Sequence, residues 1–538
     1  MMPWPFKLRR YASKAAIIAV AACPAFGLVP PVVAKAAAPP PTTVCSQERL
    51  QEIFGPGAMI DGAAKVAASG SQSAYCAVTG SIERDGRIGF TLGLPDQWNR
   101  KFLFIGVGGF AGKPAPLSVG LARGYATAST DTGHIGNSTE AKWALGDPTA
   151  VRNHFEVAVE LVAVTTKQAA AAYYGSVPVH AYFDGCSGGG RQGLVEAQRF
   201  PDAFDGVIAG APAWNYTKLM AQFVENSRFI HQAPQNHIPP EVFGAIDREV
   251  LRQCDETDGV ADGIIMDPRA CNVDLRTLLC RPNSAGPDCL TPAQLAVVDQ
   301  MRRPGYARPD SGFHGIFLTG TDGRDLGWYS WYFGIPPAFP GLELPADQPL
   351  ATKLGIEFIR NIVTHDPEYD WTKFAIAEDS STIDRVLGDL PNADDTNMGA
   401  FFRRGGKLLL WHGWADPGIP PGMSIDLYDH IRRDTKGPLG EPVDASVKLF
   451  MVPGMQHCAS GSGLTEFDRL SALEAWVERG EAPQAIVATQ VVDGRPARTR
   501  PLCPYPKVAR YKGKGDPDTA SSFECRDNGK AADQHDRL

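Results

Sequence analysis

Between about residue 80 and residue 215 the apolar positions switch between two periods. Arg87 to Leu94 alternates residue by residue, as a strand with two different faces does, and Phe102 to Val107 is a short apolar run ending in glycine. Ala126 to Ser129 reads as a further short strand, and Phe155 to Tyr174 as a long helix rich in Ala and Val. Val179 to Phe183 then predicts a strand, Arg191 to Arg199 a helix, and Gly206 to Ala209 a strand again. Strands spaced by helices of this length predict a parallel sheet wrapped by helices. The rhythm stops after about Asn215. Residues 217–395 are rich in Pro, Gly, aromatics and Cys and hold few clear strands. It resumes with Lys407 to Trp411 (strand), Ser424 to Ile431 (helix), Val447 to Val452 (strand) and Leu464 to Glu478 (helix). The expected organisation is one α/β domain, residues 37–216 and 396–538, with residues 217–395 inserted into it. No internal repeat is present.

The first 36 residues read as an address. Lys7, Arg9, Arg10 and Lys14 precede the apolar run Ala15 to Ala22, and Ala34-Lys35-Ala36 offers small residues for cleavage, so residues 1–36 are expected to be a signal peptide. Arg9-Arg10 also permits a twin-arginine signal, and Val20-Ala21-Ala22-Cys23 loosely matches a lipoprotein site that would anchor the chain through Cys23. Either way the mature chain is expected to be secreted or periplasmic. Ala36 to Thr43, rich in Pro and Ala, reads as a flexible lead-in. No run of about 18 apolar residues follows, so no spanning helix is expected. A chain of 538 residues that is 43% hydrophobic supports a large core. Its net charge is −8, and loss of the leader, with five basic residues and no acid, takes this to −13. Nucleic acid, which needs a basic face, is thereby excluded as a partner. None of these patterns speaks to oligomeric state.

The strand Val179 to Phe183 runs into Asp184-Gly185-Cys186-Ser187-Gly188-Gly189-Gly190 and then a helix. Gly-x-Ser-x-Gly between a strand and a helix is the nucleophile elbow of an α/β-hydrolase, in which a tight turn lifts the serine hydroxyl above the sheet. A phosphate loop would end in Gly-Lys-Ser/Thr, which is missing. A hydroxyl nucleophile needs a base, and the base an orienting acid, in the order Ser, acid, His on this fold. Asp416, in His412-Gly413-Trp414-Ala415-Asp416-Pro417 after one strand, is the expected acid. His457, in Gly454-Met455-Gln456-His457-Cys458 after the next, is the expected base. His412 is a rival base, but it precedes the acid and is expected to pack beside the site. One oxyanion donor should be the amide of Gly188, at the helix N-terminus. The other should come from Gly106-Val107-Gly108-Gly109-Phe110-Ala111-Gly112; Gly109 is the first choice, with Gly108 close behind and an ordinary glycine turn as the bland alternative.

Ten of the 11 cysteines lie beyond the leader, an even number that suits an exported, disulfide-bonded chain. The connectivity is not fixed by sequence, but Cys45 and Cys76, Cys254 and Cys271, Cys280 and Cys289, and Cys503 and Cys525 are near neighbours. Cys186, directly before the serine, and Cys458, directly after the histidine, then remain. If the serine and histidine are in contact, their neighbours come within disulfide reach. Two independent buried thiols are the alternative.

With Gly-Cys-Ser-Gly-Gly-Gly-Arg (185–191), His-Gly-Trp-Ala-Asp-Pro (412–417) and Gly-Met-Gln-His-Cys (454–458), the chain resembles the tannase and feruloyl esterase family of α/β-hydrolases over roughly residues 45–525. That family includes mono(2-hydroxyethyl) terephthalate hydrolase. The resemblance implies an α/β-hydrolase core with a large inserted lid domain and a Cys–Cys bridge joining the serine and histidine loops. It also implies a serine carboxylesterase acting through an acyl-enzyme on a small aromatic ester, of the hydroxycinnamate (ferulate) or gallate type.

Cys254-Asp255-Glu256-Thr257-Asp258-Gly259-Val260-Ala261-Asp262-Gly263-Ile264 places three aspartates in eight residues, a composition that suits a hard, oxygen-loving cation or a solvated acidic turn. In the resembled family this segment is a calcium site in the lid. That implies a structural Ca2+ held by Asp255, Asp258 and Asp262 with the carbonyls of Val260 and Ile264, Cys254–Cys271 stapling the loop. The aromatic run Trp328 to Phe333 is expected either to stack on a planar acyl group, through Trp328 and Trp331, or to form the lid's own core. Arg360 is expected to meet a substrate carboxylate or to sit in an ion pair. Gly418-Ile419 follows Asp416-Pro417 where an aromatic pair is associated with the terephthalate-monoester hydrolase, and Ile419 therefore favours a plant-phenolic ester. A peptidase on the same scaffold, and a non-catalytic calcium-dependent binding protein, are the competing classes.

Overall fold

The structure, a computed structural model, describes residues 44–527 apart from 283, 304–312, 324, 337–344, 346 and 437–442. Residues 1–36, the expected leader, with Cys23, lie outside the described residues. Nine strands make one sheet: β1 (Ala58–Val66), β2 (Tyr75–Glu83), β3 (Arg87–Pro95), β4 (Lys101–Ile105), β5 (Ala126–Thr130), β6 (His180–Cys186), β7 (Gly206–Gly210), β8 (Lys407–Gly413) and β9 (Val447–Val452). Their spatial order is β1-β2-β3-β5-β4-β6-β7-β8-β9. Pairs from β1 to β5 across β3 are antiparallel, and every pair from β5 to β9 is parallel. Sequence order reverses on either side of β4: the chain steps outward to β5, then crosses back to β6. The carboxyl ends of β4 and β6 therefore open onto the crevice where α/β sheets bind ligands.

Burial follows the strand period. Phe102, Phe104, Phe183, Val207, Leu408 and Leu410 face one core with Val159, Val162 and Leu194 of the flanking helices. Leu103, Tyr182, Ile208, Leu409 and Phe450, one residue out of step, face a second core with Leu470, Leu473 and Trp476. Both faces of the parallel half are thus covered, which is why its strands read as unbroken apolar runs.

The helix expected from Leu464 begins later, at Arg469, and ends at Arg479. Asp468 sets that start: its carboxylate accepts the Ser471 N–H at 3.0 Å as an N-cap. Before it, β10 (Glu466–Phe467) joins β11 (Ile486–Val492) and β12 (Arg495–Leu502) in a small antiparallel sheet, and β13 (Lys507–Tyr511) pairs with β14 (Phe523–Asp527).

The segment between β7 and β8 is helical where described. Tyr216–His231, Pro240–Cys254, Pro292–Arg302, Leu350–Glu357 and Ile376–Leu387 are its longer helices. Its only β contact among the described residues is an isolated bridge between Leu279 and Leu290. Sheet and insertion belong to the same compact unit. Among the described residues no helix is long and apolar enough to cross a membrane.

All ten cysteines beyond Cys23 are paired: Cys45–Cys76, Cys186–Cys458, Cys254–Cys271, Cys280–Cys289 and Cys503–Cys525. Five disulfides are the mark of a chain that matures in an oxidising compartment.

Candidate active site

β6 ends at Cys186 and the helix Gly188–Arg199 starts two residues later, which leaves Ser187 alone to make the turn. Its backbone sits at φ 63°, ψ −124°, a conformation that costs a non-glycine residue on the order of 1–3 kcal/mol and is held by its surroundings. The Ser187 N–H donates to the Gly210 carbonyl at 2.9 Å, and its carbonyl accepts from Arg191 (3.0 Å) and Ala213 (3.2 Å). The flanking glycines are steric necessities: a Cβ on Gly185 would lie 2.5 Å from the Gly189 carbonyl oxygen. Ser187 itself is half-buried.

Asp416 and His457 occupy the loops after β8 and β9. The Asp416 side chain is fully buried, and its Oδ2 lies 2.7 Å from His457 Nδ1. Its Oδ1 accepts the backbone N–H groups of Gly418 (2.8 Å) and Ile419 (2.9 Å). Burial alone would raise this carboxyl, but the neighbouring His457 and His412, by charge and hydrogen bonding, outweigh it and hold the group well below the ordinary carboxylate range. The acid is therefore ionised wherever the fold persists. Cys186–Cys458, with 5.9 Å between Cα atoms, fixes the residue before the serine to the residue after the histidine.

The glycine loop after β4 packs directly on the elbow. A Cβ on Gly188 would lie 3.3 Å from the Gly109 nitrogen and 3.4 Å from the Gly108 Cα, so the two candidate amides share one small space. Around them the amides of Val107, Phe110 and Ala111 are already engaged, by Gln192 Oε1 (3.0 Å), the Ser138 carbonyl (2.7 Å) and the Gly108 carbonyl (3.0 Å). Gly109 adopts φ 56°, and a side chain there would run into the Ser138 carbonyl.

The insertion supplies a wall. Trp331, 3% exposed, meets the His457 ring edge-on at 5.2 Å and 84° and leaves no room for a side chain on Gly418. Phe223 packs behind it at 5.8 Å. Trp328 is buried in the same cluster. Ile419, also buried, turns its backbone to the acid, its N–H on Asp416 and its carbonyl 2.9 Å from His412 Nε2. Among the described residues no contact brings Arg360 to this cluster: its Nε donates to the Tyr369 carbonyl at 3.0 Å within the insertion.

The acidic segment folds back on itself. Asp255 accepts the Gly263 N–H, Asp258 that of Val260 and Asp262 that of Ile264, while Arg498 (3.2 Å) and Arg500 also engage Asp262. No three His, Cys, Asp or Glu side chains converge to ligating distance among the described residues. Still, the donor chemistry fits a hard cation. Asp258 is buried, and desolvation, reinforced by Asp262 and Asp255, pushes its carboxyl up to about 7, a repulsion that a divalent ion would relieve.

His412 packs beside the site, as expected, and does so on the acid itself. It is fully buried, 3.1 Å from Asp416 Oδ2 through Nε2 and 2.7 Å from Ser424 Oγ through Nδ1. The i, i+4 spacing to Asp416 was the available signal, but only the fold shows that the loop turns the acid back onto it.

A serine elbow at the sheet's switch point and a His–Asp pair on the loops after β8 and β9 define an α/β-hydrolase. The family profile "Tannase and feruloyl esterase" matches residues 76–526, and the chain belongs to that family and is an esterase. It is 32% identical to the mono(2-hydroxyethyl) terephthalate hydrolase of Piscinibacter sakaiensis, over 86% of this chain and 87% of that one. To a probable feruloyl esterase of Arthroderma benhamiae it is 31% identical, over 81% of each. The crystal structure of feruloyl esterase B from Aspergillus oryzae superposes with a TM-score of 0.77 at 25% identity, covering 89% of this chain and all of the other.

Proposed function

We propose that this chain is an exported serine carboxylesterase that cleaves esters of aromatic acids, hydroxycinnamates of the ferulate type first among them, through an acyl-enzyme. The observation that carries this reading is the 2.7 Å His457–Asp416 pair, tied by Cys186–Cys458 to a serine in a strained elbow. With Nδ1–H given to Asp416, His457 presents Nε2 as the base. Ser187 Oγ attacks the ester carbonyl as His457 takes its proton, and Asp416 stays ionised and stabilises the imidazolium. The amides of Gly188 and Gly109 receive the oxyanion. Collapse of the intermediate expels the alcohol, protonated by His457. Water, deprotonated by the same imidazole, then releases the acid from Ser187.

The Trp331 ring beside the base, and an aliphatic Ile419 in the turn after the acid, support a planar apolar acyl group. Gallate esters and mono(2-hydroxyethyl) terephthalate are the alternative substrates. Asp255, Asp258 and Asp262, with the Val260 and Ile264 carbonyls, would hold a calcium ion whose role is to neutralise and stiffen the insertion at its Cys254–Cys271 staple. The deciding experiment compares kcat/KM for methyl ferulate, methyl gallate and mono(2-hydroxyethyl) terephthalate between the mature protein and its Ser187→Ala variant. A preferred ester whose hydrolysis vanishes in the variant is expected. Undiminished hydrolysis by the variant would remove Ser187 from the mechanism.

A further inference from the structure

His457 is held by Asp416 through its ring and by Cys458 through its chain. A third tether reaches it from the other side. Gln456, the preceding residue, has no solvent exposure. Its Nε2 donates to the Thr321 carbonyl at 3.1 Å, and its Oε1 accepts the Leu326 N–H at 3.1 Å and the Ser460 hydroxyl at 3.0 Å. Thr321 and Leu326 both meet it through backbone groups, one acceptor and one donor, and a side chain carrying both functions on one planar group satisfies them.

Those partners lead straight back to the base. Thr321 adjoins Asp322, whose carbonyl accepts the Trp328 N–H at 2.7 Å and whose own N–H donates to Asp247 on the helix Pro240–Cys254 at 2.8 Å. Five residues after Leu326 comes Trp331, whose ring stands against His457. The contacts close a circuit: His457 backbone, Gln456 carboxamide, insertion segment, Trp331 ring, His457 ring. The loop inside that circuit is tightly wound, with Cys458 (φ 63°) and Ser460 (φ 61°) in left-handed backbone and the Gln456 N–H bonded to the Ser460 carbonyl at 3.2 Å. Such a loop does not hold its shape by intrinsic preference and depends on outside contacts.

We propose that Gln456 is a positioning residue that locks the His457 loop to the insertion, so that the Trp331 wall and the base keep one common geometry. This rests on His457 being the base. Removing the carboxamide leaves a buried donor and acceptor of the insertion unpaired. The segment must then shift to find water or new partners, and the base shifts with it. A displacement of about 1 Å at a reacting group costs on the order of 100-fold in rate, and it is expected to fall on kcat because Gln456 has no solvent exposure and lies away from where substrate could reach it.

The test uses Gln456→Met, which keeps the length and loses both polar functions, and Gln456→Glu, which keeps the shape. Both are assayed on 4-nitrophenyl acetate beside the parent and His457→Ala, with folding checked by circular dichroism and the Cys186–Cys458 bond by mass. Gln456→Met is expected to lose about 10- to 100-fold in kcat with KM changed less than about threefold. Gln456→Glu is expected to stay within about fivefold of the parent near neutral pH, because burial keeps its carboxyl protonated and able to donate to Thr321. Its activity should then fall at alkaline pH, where the folded parent holds its rate. A folded Gln456→Met with kcat within about twofold of the parent overturns the proposal. So does a Gln456→Glu variant that follows the parent's pH profile, which alone decides if Gln456→Met does not fold. Should His457→Ala remain active, the base assignment falls and the coupling with it; an inactive His457→Ala beside a fully active Gln456→Met sinks the coupling alone.

Discussion

Replacing Cys186 and Cys458 together by alanine separates two things that one covalent bond does. In the unfolded chain it closes a loop spanning 272 residues. The chain-entropy relation assigns about 5–6 kcal/mol at 25 °C to a closure of that length. The two disulfides inside it span 17 and 9 residues and barely change the logarithm. On heating, that free energy is nearly hidden. A chain of roughly 500 residues unfolds with an entropy near 1 kcal/mol/K, so the midpoint drops by only about 5 °C. Urea unfolding followed by circular dichroism, with slope and midpoint both fitted, is therefore the better measure of stability. In the native state the bond does different work, because it sets the spacing of the serine and histidine loops. Loosening that spacing by about 1 Å should lower kcat on the order of 100-fold under conditions where the variant is fully folded. The double variant is expected to show both losses. Full kcat with lowered stability would mean that the bridge acts only on the denatured ensemble and that Asp416 and the packed loops register the site without it. Unchanged stability with lost activity would refute the loop-closure argument instead.

Asp416→Asn should leave the fold intact and lower kcat by about 10⁴-fold, since an amide no longer fixes the His457 tautomer or stabilises its cation; a loss under about tenfold would remove Asp416 as the acid. His134, 8% exposed and stacked on Trp143 at 3.8 Å, is lowered to about 4 by desolvation, partly offset by the Phe110 backbone. Unfolded, the same side chain titrates near 6.5, so between about pH 6.5 and 4 the unfolded chain takes up a proton that the folded one refuses. Up to about 3 kcal/mol of stability present above that window is lost as pH falls through it. His134→Phe should flatten this part of the pH dependence of urea unfolding, and an unchanged slope would show that His134 is not the group responsible. Calcium at about 100 times its dissociation constant should stabilise the protein by about 2.7 kcal/mol over a chelated sample, and Asp258→Asn should abolish the difference; no calcium effect on the parent would end the metal assignment.

The parts of this fold that were legible in sequence are those built by local pattern. β3 to β9 are short, apolar and bounded by glycine or polar turns, and each is found within a few residues of its expected place. Ser187 could be found because an elbow is a local device: glycines at fixed offsets between a strand and a helix. Asp416 and His457 followed from loop order, and four of the disulfides join near neighbours in the chain; Cys186–Cys458, 272 residues apart, was expected only from what remained and from the family resemblance. The insertion was less legible. Its helix Tyr216–His231 is buried on most of its surface, through Tyr216, Leu219, Met220, Phe223, Val224 and Ile230 and also through Gln222, Asn226 and Ser227, so it carries no clean apolar stripe. Trp331 could be named as a candidate but not placed, because its contact with His457 spans 126 residues of chain. Gln456 lies inside the motif Gly454 to Cys458, but its insertion partners, Thr321 and Leu326, meet it through backbone groups that have no sequence signature.

The hydrogen-bond roles around Asp416 can be assigned from its neighbours alone. His412 Nε2 faces two acceptors, Asp416 Oδ2 at 3.1 Å and the Ile419 carbonyl at 2.9 Å, so it must carry a hydrogen. Its Nδ1 is left to pair with the Ser424 hydroxyl at 2.7 Å. His457 Nδ1 faces only the acid and donates to it. Asp416 thus receives four N–H groups: two imidazoles on Oδ2 and the Gly418 and Ile419 amides on Oδ1. A buried carboxylate with this many donors is fixed in position and in charge. The Ile419 amide that fixes it and the Ile419 carbonyl that orients His412 belong to the same turn, so one residue sets both the acid and the second imidazole by its backbone. Ile419→Pro, which removes the N–H donated to Asp416, is therefore expected to disturb the acid whatever the substrate.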